Sequence, residues 1–82
     1  MKLNVLSPEG TVYEGEVNSV SLPGTEGPFT VLRDHASLIA ALREGMIGYV
    51  TEEKGGKGEG RISVKSGFVE VNRNVVTVCV ES

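Results

Sequence analysis

Tryptophan is absent from this 82-residue chain, and cysteine and histidine each occur once. Only Tyr13, Tyr49, Phe29 and Phe68 are aromatic. Each scarcity excludes something. A single cysteine, Cys79, rules out an intrachain disulfide framework. One histidine (His35) and one cysteine 44 residues apart make a poor metal site. The longest uninterrupted apolar run, Leu38 to Leu42, is far short of the roughly 20 residues of a membrane span. Lys2-Leu3-Asn4 is followed by too few apolar residues for a secretory signal. The formal charge is -3 and dispersed, so the clustered basic face that phosphate backbones require is missing.

What is present describes one small globular domain spanning residues 1–82. Hydrophobic residues make up 39% and charged residues 23%, a globular rather than disordered balance. A chain this short buries roughly 60–65% of the surface its unfolded form exposes, enough for one core. With so few aromatics that core must be Val, Leu and Ile, which leans towards β structure. Cys79 sits in a Val-rich run with no cationic neighbour, where a buried, reduced thiol is expected.

Period-2 alternation dominates the chain. Leu3 and Val5, Val20 and Leu22, Ile62 and Val64, and Val76, Val78 and Val80 each alternate with a second set of side chains. The last run is apolar on both faces, as for a strand near the middle of a packed sandwich. Pro8-Glu9-Gly10 reads as a turn. Pro23-Gly24 and Gly27-Pro28 bracket a loop that flanking strands are not expected to absorb, since proline donates no ladder hydrogen bond. Asn72-Arg73-Asn74 reads as a tight hairpin, because asparagine tolerates left-handed geometry. Met46–Thr51 and Arg61–Ser66 form a second hairpin with a charged, glycine-rich tip, Glu52 to Gly60, expected to be mobile. Ser37 to Gly45 fits a short helix or a strand about equally well. The architecture implied is a β-sandwich or barrel.

The residues offer no catalytic site. Asp34 and His35 are adjacent, and neighbours on an extended backbone point to opposite faces, so they make a poor base and orienter. A structural or interface role suits His35 better. Gly55-Gly56-Lys57-Gly58 lacks the Ser or Thr and the following helix that a phosphate loop needs. The glutamates are scattered and suggest no acid/base pair. One loop stands out, Leu22 to Phe29, where two prolines and two glycines surround Glu26. It serves either as a rigid turn or as a shaped loop that presents Glu26 to a partner.

A family resemblance bears on that choice. Ser19-Val20-Ser21-Leu22-Pro23-Gly24-Thr25-Glu26-Gly27, then Phe29, Val31-Leu32, His35-Ala36 and Leu38, resembles the signature stretch of the epsilon subunit of F-type ATP synthases. Leu3 to Gly15 with its Ser7-Pro8-Glu9-Gly10 turn, and Ser66-Gly67-Phe68-Val69-Glu70-Val71 followed by Asn74 to Val78, fit the same family. The likeness runs through essentially the whole chain. It implies an all-β fold, a flattened sandwich of about ten short strands, with Leu38 to Leu42 as a strand.

The resemblance also implies a non-catalytic rotor-stalk subunit that helps couple proton-driven rotation to ATP synthesis. Its partners would be the gamma subunit and the c-ring, at the cytoplasmic face of a bacterial membrane, with no cofactor and no nucleic acid. Gly24, Thr25, Glu26, Gly27 and Pro28 would face the c-ring, and His35 would lie near gamma. Pro28 stands where the family often has an acidic residue, Thr30 where glycine is common, and Arg33-Asp34 where Pro-Gly usually precedes the histidine. Pro28 is therefore expected to make the ring contact less electrostatic, and Thr30 with Arg33-Asp34 to alter the turn geometry before His35. The helical hairpin that family members commonly carry next is expected to be absent from this chain, which stops at Ser82, and with it inhibition and ATP binding. The alternative is a free-standing ligand- or protein-binding β module.

Overall fold

Nine strands account for most of the described residues of the computed structural model, which describes residues 1–53 and 56–81. They are β1 (Lys2–Ser7), β2 (Gly10–Glu16), β3 (Ser19–Gly24), β4 (Gly27–Leu32), β5 (Leu38–Leu42), β6 (Gly45–Glu53), β7 (Gly56–Val64), β8 (Ser66–Asn72) and β9 (Val75–Glu81). The strand order is β2-β1-β9-β8-β5-β3-β6-β7, with β4 added to β3. β1 and β9 pair in parallel and the other pairs are antiparallel.

The ladder passes from β5 to β3 through one bridge, Gly24 to Leu42, and there the sheet folds over. β2-β1-β9-β8-β5 form one layer and β4-β3-β6-β7 the other, a sandwich of the expected class with nine strands rather than ten. The alternating positions meet between the layers. Leu3, Val5, Val69, Val71, Val76 and Val78 come from the first layer, and Val20, Leu22, Val31, Ile47 and Val64 from the second, all within 2% of complete burial. Burying such an aliphatic side chain contributes about 1.5–3 kcal/mol. Among the described residues no buried side chain is polar or charged. At the margin, Tyr13 of β2 meets Tyr49 of β6 with ring centroids 4.3 Å apart, closing the two layers on each other.

The turns follow their chemistry. Pro8 and Glu9 form the corners between β1 and β2, and Gly10 takes φ 136°, open to glycine alone. Arg73 and Asn74, at φ 50° and 63°, form the two-residue turn that Asn72 and Val75 close, the type I′ geometry that suits strand twist. Leu38–Leu42 is a strand along β8, so the helical option fails. Five residues cannot repay helix nucleation, whereas β8 supplies a full ladder partner.

Several expectations need correction. Pro23 and Pro28 lie inside β3 and β4, directly opposite each other. The two-residue loop makes Gly24 and Gly27 the hydrogen-bonded closing pair, so the prolines fall at the next, non-bonded position. Pro23 turns its edge to β5, where its carbonyl accepts from Arg43 N–H at 2.9 Å, and Pro28 faces the outer edge of β4. Neither proline breaks the β3–β4 ladder. Nor does the β6–β7 hairpin loosen from Glu52 onwards, because pairing continues to Glu53 and Gly56. Of that supposed tip, Lys54 and Gly55 lie outside the described residues. Cys79 is half-buried rather than buried, since β9 gives the core only Val76, Val78 and Val80.

Candidate partner-binding surface

The β3–β4 hairpin ends in a tip with Thr25 and Glu26 as its two corners, both exposed. Gly24, just before them, is buried, because three strands converge on it: it pairs with Gly27 of β4 and Leu42 of β5. A Cβ on Gly24 would lie 2.7 Å from the Gly27 carbonyl oxygen and 2.9 Å from Phe29 Cε1. Gly27, at φ 132°, needs glycine for conformation rather than space. Thr25 N–H donates to the Ala41 carbonyl at 3.0 Å, fastening the tip to β5. The result is a shaped projection on a fixed base. Beside it Thr25, Glu26, Phe29, Ile39 and Ala41 border a half-open hollow of about 360 Å³.

His35 lies at the other end of β4, in the exposed β4–β5 connection. A six-residue strand, β4, separates the two places by roughly 17 Å, so the structure does not bring Gly24–Pro28 and His35 together. The His35 N–H donates to the Leu32 carbonyl at 3.2 Å. Its Nδ1 lies 2.7 Å from the Ala36 carbonyl oxygen. A carbonyl only accepts, so Nδ1 is the donor in this contact. Asp34 does not orient His35, but for a different reason from the one expected. Its backbone is left-handed (φ 61°), not extended, and its carboxylate bonds to Asn74 Nδ2 at 2.9 Å. Among the described residues no group of three His, Cys, Asp or Glu side chains could hold a metal ion.

Sequence reasoning missed a second surface, the outer face of the first layer. The register aligns Ala41, Phe68, Cys79 and Leu6 across β5, β8, β9 and β1. Phe68 is 53% exposed and the nearby Ile39 75% exposed. Leu6, Pro8, Phe68 and Cys79 border a second hollow of about 310 Å³. The signal was there in the alternate positions of these strands, which carry Phe, Cys and Leu where a solvated face would carry charge.

Comparison with known proteins settles the family. The model of the ATP synthase delta/epsilon chain β-sandwich domain matches residues 1–82. The chain belongs to that family. It is 43% identical over 81 residues to the ATP synthase epsilon chain of Sulfurimonas denitrificans, covering 99% of this chain and 60% of the relative. It is 41% identical over 78 residues to that of Helicobacter pylori strain Shi470, covering 95% and 60%. It thus spans about 60% of the length of these curated relatives. Two solved structures share the fold. A chain of the Tetrahymena thermophila mitochondrial ATP synthase central stalk and c-ring matches with TM-score 0.81 at 15% identity, covering all of this chain and 63% of that one. A chain of the Euglena gracilis mitochondrial ATP synthase OSCP/F1/c-ring structure matches with TM-score 0.82 at 22% identity, covering 95% and 48%. The epsilon resemblance is borne out, and so is the β-sandwich class.

Proposed function

We propose that this domain is a non-catalytic element of the rotor stalk of a proton-translocating ATP synthase, attached to the c-ring by its β3–β4 tip and to the gamma subunit near His35. One observation carries the reading beyond family membership. The Gly24–Pro28 tip is a rigid projection whose corner side chains are exposed while its base is fastened by backbone bonds to β5. Binding residues are disproportionately carried on loops that a rigid scaffold positions. His35, at the opposite end of β4, is free to meet a different subunit. The apolar row Ala41-Phe68-Cys79-Leu6 is a broad face on which gamma can also rest.

The mechanical role follows from the fold. Each described strand is laddered to a neighbour, and the aliphatic core between the layers is close-packed and resists compression. Torque entering at the tip is carried to the gamma contact without being lost in deformation. No helix among the described residues is long and apolar enough to cross a membrane. In this reading the domain sits at the cytoplasmic face of a bacterial membrane through its partners, needs no cofactor, and leaves catalysis to other subunits. The test is co-elution of the purified chain with gamma and with detergent-solubilised c-ring. Stable association with both is expected, and failure to associate with either overturns the proposal.

A further inference from the structure

Two exposed turns at one end of the sandwich are joined by a pair of hydrogen bonds that this reading leaves unexplained. The Asp34 N–H donates to Asn74 Oδ1 at 2.6 Å, and Asn74 Nδ2 donates to Asp34 Oδ1 at 2.9 Å. The bonds are reciprocal and link residues 40 apart in sequence. Both residues are left-handed, at φ 61° and 63°. Aspartate and asparagine are among the few side chains that tolerate this region, and both are short enough to bond to nearby backbone. The β8–β9 turn is the fixed partner, because the Asn74 carbonyl also accepts from Lys2 N–H at 2.8 Å and ties the turn to β1. The β4–β5 connection is the held partner. It is exposed from Leu32 through Ser37, so no core burial orders it.

We propose that Asp34 and Asn74 form a clasp that fixes the His35 loop in its binding conformation before the partner arrives. Both are positioning residues. This rests on the reading of His35 as the gamma-facing residue. A loop ordered in advance loses less conformational freedom on docking, so the clasp acts on affinity without itself touching gamma. The requirement is for the hydrogen bonds and not for the charge, since an asparagine at position 34 can accept from Asn74 in the same way.

The experiment uses Asp34→Gly, Asn74→Gly, the double variant and Asp34→Asn. Glycine keeps the left-handed backbone unstrained; at position 74 it removes both bonds, whereas at position 34 it removes only the one to Asp34 Oδ1, because the other is donated by the backbone N–H. The readout is exchange of the His35 amide, whose acceptor is the Leu32 carbonyl and which neither substitution removes. Gamma binding is measured on the same four proteins and on His35→Ala. Asn74→Gly is expected to speed His35 exchange about tenfold, the loss of two exposed hydrogen bonds, and Asp34→Gly about threefold, the loss of one. The double variant should match Asn74→Gly, because that substitution alone already opens the clasp. Asp34→Asn should behave as the parent, and gamma affinity should fall wherever exchange rises. Multiplying effects in the double variant would assign the change to glycine flexibility and overturn the clasp, as would unchanged exchange in either single. Faster exchange with unchanged gamma affinity would overturn the positioning role. If His35→Ala also binds gamma unchanged, the failure lies in the assignment of His35.

Discussion

Replacing Gly24 by alanine tests the junction on which both the fold and the tip depend. The added methyl would sit 2.7 Å from the Gly27 carbonyl oxygen and 2.9 Å from Phe29 Cε1. The first neighbour is backbone and cannot swing aside, so the hairpin must open or the strand must shift. Overpacking by one methyl typically costs about 1–3 kcal/mol. Gly24 is not left-handed, so alanine recovers about 0.4–1 kcal/mol by restricting the unfolded chain. With a backbone atom as the obstacle the cost falls in the upper half of that range, about 2–3 kcal/mol, so the net loss is about 1–2.6 kcal/mol. For a domain of this size each kcal/mol moves the melting temperature by about 4–8 °C, which gives a fall of roughly 4–21 °C by thermal circular dichroism. Gly56→Ala is the control, since a Cβ there meets nothing within 4 Å and should change stability by under about 0.5 kcal/mol. An unchanged or higher melting temperature for Gly24→Ala, beside a neutral control, would refute the crowding argument.

Three further outcomes are expected. Gly67→Ala should be more damaging than Gly24→Ala in the same assay, because its Cβ collides with the Cys79 carbonyl oxygen and lies 3.1 Å from Val80 Cα, all backbone of β9. Ile47→Ala, at a fully buried site between the layers, should cost about 2–5 kcal/mol in urea unfolding with little change in slope. A double-mutant cycle on Tyr13 and Tyr49, both changed to leucine, should show coupling of about 0.5–1.5 kcal/mol from the ring contact.

Much of the fold could be read from periodicity, because an aliphatic core leaves a clean alternation wherever one strand face is buried. Leu3, Val5, Val20, Leu22, Val76, Val78 and Val80 all lie where that alternation puts them. Local turn chemistry was equally readable at Pro8-Glu9-Gly10 and Arg73-Asn74. The reading failed where tertiary context decides. Proline rules describe a strand bonded on both edges, and say nothing of the ladder phase that lets Pro23 and Pro28 face each other harmlessly. Whether Leu38 to Leu42 is helix or strand depends on β8, about 30 residues away. Cys79 looked buried because its neighbours are valines, but the outer face of its layer is open. The β3–β4 tip drew attention by composition, while its fastening to Ala41 and the Asp34–Asn74 pair involve partners that no local pattern connects.

The most direct test of the account is amide chemical-shift mapping on isotope-labelled chain, titrated first with gamma and then with detergent-solubilised c-ring. Gamma should perturb the amides around His35, and the ring those of Gly24, Thr25, Glu26 and Gly27, with the β7 edge unmoved. Perturbations confined to β7, or none at Gly24–Gly27 on addition of the ring, would contradict it.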